Sequence, residues 1–408
     1  MNDVTQPERG RGTVLSVVAT VAALVALLAF APFASAASDP LASGTTTLTL
    51  NKGLFKKLRK AGVKVQGVNP ATVKVRVVTL PVSGGSLDPT TGLGTIEQSG
   101  GIKFKHGKKK AIVNTLVLET TTSSLKAKVA GKSMKLATVK GTTVARNGFG
   151  ANVTIGSVKL TGKAAKQLNK KLGFTGKKNS GKKSKRASVS KTTQPPFKAN
   201  QNLGGTLSET QPKTVVVLPG GNATLTTSLP TVVKLAKVKV EIELVAPTTV
   251  AALGPPPAFA FPIGGGTIAP DASSGIVQTL GGLKLHQVFV PGEVETTMTL
   301  NAIWIDLGAK TATVEVTVES KGIDPKLNLG NLLRSSIANI SMAGATVTSD
   351  PSTRTVSVQN ASASLQGVTA ETLNSVFVGP FEAITKTPAE KFVEGDPLGT
   401  FSFTVQTE

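Results

Sequence analysis

Residues Pro81–His106 read PVSGGSLDPTTGLGTIEQSGGIKFKH, and residues Pro262–Gln287 read PIGGGTIAPDASSGIVQTLGGLKLHQ. The offset between the two stretches stays at 181 residues. Glycines and prolines fix turn geometry, and alternating apolar residues fill one face of a sheet, so a shared pattern of both indicates a shared β fold. The sequence therefore predicts two copies of one β module. Eight glycine, proline and lysine positions of the first copy recur unchanged in the second: Pro81, Gly84, Gly85, Pro89, Gly94, Gly100, Gly101 and Lys103.

The repeat extends beyond this stretch in both directions. Thr47–Thr49 recurs as Thr224–Thr226, and Phe197–Gly204 shares its aromatic residue and its Leu-Gly pair with Phe392–Gly399. The pattern predicts an all-β fold of two tandem homologous domains that follow an N-terminal signal segment. Each domain is expected to be sandwich-like and to carry one or two short helices. The predicted domains are 45–211 and 213–408.

Local spacing places the elements of the first copy. Apolar residues recur at helical intervals in Leu54–Lys60 and in Ala165–Leu172, which predicts two short helices. Ala111–Glu119 and Ser124–Val129 are strand-like. The residues Asp39–Gly44 resemble a polar spacer ahead of the first strand.

The N-terminus resembles an export signal. Two arginines precede a continuous small and apolar run, Val14–Phe33, and Ala34 and Ala36 then form an A-x-A cleavage site. We expect residues 1–36 to be a cleaved signal peptide and the protein to be secreted or held at the cell surface. The alternative is a single N-terminal membrane anchor, because about 20 apolar residues can span a bilayer.

Charge is distributed unevenly along the chain, whose formal net charge is +23. Residues 45–175 carry +21 and residues 176–200 carry +8, whereas residues 201–408 carry −5. The matching segment Phe197–Gly204 places the lysine-rich loop 176–196 inside the first domain. This basic domain could attract anionic wall polymer or a membrane surface, or its lysines could simply be a solvated face that protects strand edges. The candidate polyanion-binding residues are Lys177, Lys178, Lys182, Lys183, Lys185 and Arg186.

Catalysis finds little support in the sequence. Cysteine is absent, which excludes a disulfide framework, a thiolate metal site and a cysteine nucleophile. No nucleophile elbow, phosphate-binding loop or zinc-protease motif is present, and residues 45–175 hold only three carboxylates, which disfavours paired-carboxylate chemistry. We predict that the protein is not an enzyme and has no metal site. Because tyrosine is absent and Trp304 is the only tryptophan, we expect no nucleic-acid partner either.

The chain has two histidines, and both follow the repeated glycine pair. His106 follows GGIKFK and His286 follows GGLKL, so they fall one residue apart in the repeat. One residue along a strand reverses the face to which a side chain points, so the two need not be equivalent. Each could bind a ligand, or each could be a polar residue that enters a loop.

These motifs resemble the haem-transport-associated (Htaa) domain family. Gly100–His106 is similar to the family's strand pattern G-x-V-x-F-x-x-H, with slightly compressed spacing, and Gly281–His286 is a weaker version. The segments Phe197–Thr206 and Phe392–Phe401 resemble the family's closing aromatic residue followed by a Gly-Thr pair. Pro81–Gly85 resembles the strand and turn that precede the core.

The resemblance implies a β-sandwich with short helices and haem capture at the cell surface. In the family a tyrosine near the domain start ligates the iron and the strand-end histidine supports it, a role that would fall to His106. This chain has no tyrosine, and the corresponding Thr47–Leu58 offers only Phe55. The candidate ligand-binding residues are therefore His106, His286 and Phe55. His106 itself could be the axial ligand, or the scaffold could persist without its cofactor.

Two functions follow as expectations. The first is an exported, non-enzymatic cell-surface binding protein with two Htaa-like domains, whose implied ligand is haem. The alternative is a structural or adhesive envelope protein that binds anionic wall polymer or lipid through its basic first domain, without haem.

Overall fold

The structure, a computed structural model, describes residues 38–174 and 194–408. The predicted signal segment 1–36, including Ala34 and Ala36, and the run Lys177–Arg186 lie outside the described residues, so what the sequence indicates for them stays a prediction. Within the described ranges, none of the helices combines the length and the apolar character that a membrane span requires. Residues Ser38–Glu408 form one unit, which contains both copies of the repeat.

The first copy, here called module one, is built from strands β1 to β10 and two helices. Its helices are α1 (Lys52–Lys60) and α2 (Gly162–Leu172), which confirms both predicted helices. β1 begins at Asp39, so the prediction of a polar spacer over Asp39–Gly44 is wrong: this segment pairs with β10 and β4. The strands are β1 (Asp39–Leu50), β2 (Val63–Val68), β3 (Thr72–Lys74), β4 (Val77–Leu87), β5 (Gly94–His106), β6 (Lys109–Glu119), β7 (Ser124–Val129), β8 (Lys132–Asn147), β9 (Gly150–Leu160) and β10 (Asn202–Pro212).

The sheet of module one closes on itself. Among the described residues, β4 through β10 pair in sequence order, and β1 then joins β10 back to β4. Every pairing is antiparallel, and β2 and β3 extend the sheet from β5 and β4. The strands of the module are predominant, as predicted, and they form one continuous closed sheet.

The second copy, module two, follows the same plan with more strands. Its helices are α3 (Leu229–Lys237), α4 (Gly367–Leu373) and α5 (Gly379–Thr385), with a π-helical turn at Asn374–Val378 and a short 3₁₀ turn at Pro325–Leu327. The strands are β11 (Val215–Val216), β12 (Asn222–Thr227), β13 (Val240–Val245), β14 (Thr249–Ala252), β15 (Ala258–Ile268), β16 (Gly275–Thr279), β17 (Gly282–Val290), β18 (Val294–Asp306), β19 (Thr311–Lys321), β20 (Gly330–Ser341), β21 (Thr346–Asp350), β22 (Thr355–Leu365) and β23 (Pro397–Gln406).

Module two closes through equivalent strands. In its described residues, β12 pairs with β15 and β23, as β1 pairs with β4 and β10. The path continues through β22, β20, β19 and β18, and β16 returns it to β15. Two strands of module two, β16 and β17, correspond to the single strand β5 of module one. The repeated glycine pair makes a bulge in β5, whereas in module two it interrupts the strand completely. Two homologous all-β modules in tandem are thus present, although the predicted limits 45–211 and 213–408 stay predictions.

The recurring glycines are explained by close backbone approach. Gly100 and Gly281 have φ values of 80° and 74°, which residues with a Cβ rarely adopt. A methyl group on Gly100 would lie 2.6 Å from Val68 O, and one on Gly281 would lie 2.7 Å from Val245 O. Both conditions select glycine, so the pair recurs in both copies.

The helices are fixed by caps and by side-chain amides. Asn51 Oδ1 accepts hydrogen bonds from the backbone N–H groups of Gly53 and Leu54 at 2.9 and 3.2 Å, which satisfies the free donors at the start of α1. Near the end of each module, an asparagine side-chain amide bonds the helix to the segment that precedes the last strand. Asn169 Nδ2 donates to Phe197 O and Asn374 Nδ2 donates to Phe392 O, both at 2.8 Å.

The modules contact each other at the turn between β8 and β9. Phe149 of module one is 4% exposed and packs into the apolar core of module two, and a methyl group on Gly148 would lie 2.7 Å from Pro351 Cβ. The Arg146 guanidinium donates to the backbone oxygen of Glu408 and, at 3.1 Å, to Thr90 Oγ1. An apolar side chain and a half-buried arginine therefore both take part in the contact between the modules.

Candidate functional site

The two histidines occupy opposite faces of equivalent strands. His106 pairs with Val63, and in module two the residue paired with the equivalent Val240 is Gln287. His286 pairs with Glu241, as Lys105 pairs with Lys64. The position of His106 is therefore held by glutamine in module two, and the two histidines are not equivalent because of the one-residue offset.

His106 is fixed by the end of α2. Its Nδ1 lies 3.0 Å from Leu172 O, and because a carbonyl oxygen only accepts, this nitrogen carries the proton. In the neutral ring Nε2 then bears the lone pair. The imidazole stacks on Phe174, with ring centroids 4.4 Å apart and an interplanar angle of 24°. The other edge of the ring faces Gly62, where an added methyl group would lie 3.9 Å from Nε2.

Module two keeps the same hydrogen bond with a different side chain. Gln287 Nε2 donates to Phe377 O at 3.1 Å, and Phe377 occupies the position of Leu172. The same nitrogen also donates to Val238 O at 2.5 Å, and the glutamine side chain is fully buried. This site holds its helix end in place but offers no imidazole nitrogen to a ligand.

His286 lies among carboxylates. Its Nδ1 is 3.2 Å from Glu243 Oε1, and its Nε2 is 3.6 Å from Glu295 Oε2. Lys284 and His286 lower the pKa of Glu243, mainly through the hydrogen bond from Lys284 at 2.9 Å. His286 borders an open surface depression together with Lys239. Carboxylates on both ring nitrogens suit a cationic rather than an anionic ligand.

The remaining sequence candidates are placed as follows. Phe55 is half-buried on α1 and packs against the core of module one. The aromatic partner of His106 is instead Phe174, which the sequence reasoning missed because it follows α2 and is far from His106 in the chain. The spacing of α2 predicted a helix, but not that its last carbonyl, on Leu172, reaches the histidine. The structure therefore groups His106 with α2, and places His286 on the other module.

A row of lysines crosses the face of module one opposite to His106. Lys64, Lys105 and Lys110 are direct cross-strand neighbours on β2, β5 and β6, and all three are exposed. Like charges directly opposite one another destabilise a sheet. In module two the corresponding face pairs Lys284 and His286 with Glu243. Within the part of module one that the structure describes, the one ion pair is Lys126 with Glu119.

The described residues contain no group of three or more histidine, cysteine, aspartate or glutamate side chains placed to hold a metal ion.

Comparison with known proteins gives a structural likeness only. No family model and no curated protein matches the chain. The crystal structure of the C-terminal domain of HtaA from Corynebacterium glutamicum matches with 14% identity and a TM-score of 0.31, over 42% of this chain and 99% of that one. The haem-binding protein HtaB from the same organism matches with 12% identity and a TM-score of 0.30, over 48% of this chain and 96% of that one. Both proteins carry the Hta name of the family that the glycine motifs resemble.

Proposed function

We propose that this chain is a non-catalytic binding protein of the cell envelope and that module one binds haem, as cargo, at His106. The observation that carries the proposal is the hydrogen bond from His106 Nδ1 to Leu172 O. Histidines that ligate metals commonly donate their second ring N–H to a carbonyl group, which fixes the tautomer and orients the ring. Export is proposed from the apolar segment Val14–Phe33 and the site at Ala34 and Ala36.

The residues around His106 fit haem in their chemistry. Nε2 supplies a neutral nitrogen of the type that serves as an axial ligand, and Phe174 adds an aromatic surface. Lys109 is the cross-strand partner of His106 and Lys108 precedes it, so ammonium groups are available to the propionates. Tyrosine, the ligand that the family resemblance implies, is absent. His106 is therefore proposed as the ligand itself.

The glutamine of module two suggests a variant that separates ligand binding at His106 from the structural role of its hydrogen bond. His106→Gln introduces the residue that module two uses, so the hydrogen bond to Leu172 O can be kept while the ligating nitrogen is removed. The full chain would be titrated with haemin while the Soret band is followed. We expect a saturable shift in the wild type and in His286→Ala, and a loss of at least tenfold in affinity in His106→Gln. Equal haemin binding by wild type and His106→Gln would contradict the proposal.

The lysine row supports a second function, the binding of an anionic polymer or lipid surface. Lys64, Lys105 and Lys110 accumulate positive charge at a cost to the sheet, and an anionic partner would relieve that repulsion. In this case haemin binding would be weak, would be lost at high salt, and would fall in a Lys64→Gln/Lys105→Gln/Lys110→Gln variant but not in His106→Gln. The same titration, repeated at two salt concentrations, separates the two functions.

A further inference from the structure

Module two contains an apolar cavity that the haem proposal does not use. The cavity has a volume of about 110 Å³ and lies within the closed sheet, against α3 and α4. Its walls include Leu235 of α3, Met298 of β18, Ala312 of β19 and Leu373 of α4. An apolar cavity of about 150 Å³ is large enough to admit benzene or xenon, so this volume can accept a small apolar group.

Two of the threonines that line the cavity have their hydroxyl groups bonded to backbone oxygens, so the cavity wall stays apolar at these residues. Thr227 Oγ1 donates to Pro257 O at 2.7 Å, and Thr231 Oγ1 donates to Pro397 O. Both hydroxyl groups are therefore satisfied by backbone. In the described residues, none of the buried side-chain polar atoms that lack a hydrogen-bond partner belongs to a residue of the lining. Water needs two to four polar partners to occupy a cavity, so this cavity favours an apolar occupant over water.

Module one shows that the fold itself does not require this space. The corresponding region of module one retains only about 30 Å³. The strand register and the repeat place large residues there, where module two has smaller ones: Leu50 against Thr227, Leu54 against Thr231, Phe104 against Leu285 and Leu125 against Ala312. The cavity is thus specific to module two.

One side of the cavity reaches the surface. Val232 of α3, Leu300 of β18 and Thr369 of α4 line it and are half-buried. The same two helices expose further apolar side chains, Val233 at 41% and Val368 at 75%. A ligand with an apolar end could therefore enter there and leave a polar end in water.

We propose that module two is a second binding site, which takes the alkyl end of an amphiphile. The ligand class follows from the dry apolar interior, from its size, which suits a few carbon atoms, and from its apolar opening. This site is independent of His106, so either binding activity can fail without the other.

Methionine labelling provides a direct test. Met298 lies in the cavity wall, whereas Met134 belongs to module one and Met342 lies outside the lining. The full chain, labelled with ¹³C in its methionine methyl groups, would be titrated with 1-butanol, 1-pentanol and 1-hexanol. We expect the Met298 signal to shift saturably while the Met134 and Met342 signals stay in place. Affinity should rise about fourfold with each added methylene group until the cavity is full.

Two variants fill the cavity with the residues of module one. Ala312→Leu introduces the counterpart of Leu125, and Thr231→Leu introduces the counterpart of Leu54. Either should weaken 1-hexanol binding at least tenfold, while Val347→Ala, on β21 and outside the lining, should leave it unchanged. The Met134 and Met342 signals report whether each variant is folded, and the second variant serves if the first is not. Unchanged Met298 shifts in the folded filled variants, or no Met298 shift with 1-hexanol in the wild type, would overturn the proposal.

Discussion

Replacing Asp39 by asparagine should stabilise the protein at neutral pH. Asp39 begins β1 and is 6% exposed. Burial, followed by the negative charge of Glu408, raises the pKa of its carboxyl group from 3.8 to about 6, and Asp88 acts in the same direction. The positive charge of Arg146 opposes this rise but does not cancel it. The junction of the two modules therefore holds a carboxylate that would be more stable protonated.

The sign and size of the effect follow from linkage. Because the pKa of Asp39 is higher in the folded than in the unfolded chain, ionisation of this group costs stability as pH rises through the interval from about 3.8 to about 6. The full shift corresponds to about 3 kcal/mol of unfolding free energy at pH 7, as an upper figure. At pH 4 most of the penalty is absent, and the remainder is below about 1 kcal/mol. Asparagine has nearly the same volume and no charge, so it should remove the penalty.

Urea unfolding of wild type and Asp39→Asn at pH 4.0 and pH 7.5 measures this difference. We expect the variant to gain up to about 3 kcal/mol at pH 7.5 and less than about 1 kcal/mol at pH 4.0. Glu371→Gln, at an exposed glutamate of α4, is the matched control and should change little at either pH. A variant that is less stable than wild type at pH 7.5, or that gains equally at both pH values, would refute the reasoning.

Two further predictions concern module two. Gly281→Ala should lower the unfolding free energy by about 3 kcal/mol or more in a melting experiment, because the new methyl group meets Val245 O at 2.7 Å in addition to an unfavourable φ of 74°. Gly344→Ala, with φ of 84° and open space around it, is the control and should cost about 1 kcal/mol from the backbone alone. Equal losses in the two variants would exclude the steric explanation. Lys234→Met should lower the unfolding free energy by about 2 kcal/mol in urea, because the hydrogen bond from Lys234 to Asp396, at 2.8 Å, raises the pKa of this lysine, and loss of this bond leaves the Asp396 carboxylate without a cation. Lys237→Met, at an exposed lysine, is the control and should change stability by less than about 0.5 kcal/mol. A similarly small effect for Lys234→Met would mean that Asp396 is adequately solvated.

Most of the fold could be predicted because it repeats. The glycine pair ending at Gly101 recurs at Gly282 since both copies need the same close backbone approach, and together with the other recurring turn and strand residues it indicated two β modules. Local periodicity placed α1 and α2. The pairing of strands that are distant in the chain could not be predicted, because neither the length of a strand nor its apolar pattern indicates which other strand it pairs with. Asp39–Gly44 looked like a spacer for that reason: its polar composition hides a pairing with Pro212 and Leu87.

The candidate site was predicted only in part. The one-residue offset between His106 and His286 is visible in the sequence and left their equivalence open, and the structure places them on opposite faces of equivalent strands. Phe174 and Leu172 could not be assigned to His106, because their approach depends on how α2 packs across β5. The cavity of module two was also invisible, since a change such as Leu125 to Ala312 matters only when the neighbouring residues fail to fill the space.

Each ring closes by pairing its first long strand with its last, β1 with β10 and β12 with β23. The two ends of each module therefore leave the sheet side by side, with Leu41 opposite Pro212 in module one. A unit whose entry and exit are adjacent can be duplicated in tandem without rearranging its interior, because the connecting chain need not cross the body. The connection between the two copies accordingly needs little more than the few residues between Pro212 and Val215, and each copy can differ from the other in charge and in interior volume without a change in the connection.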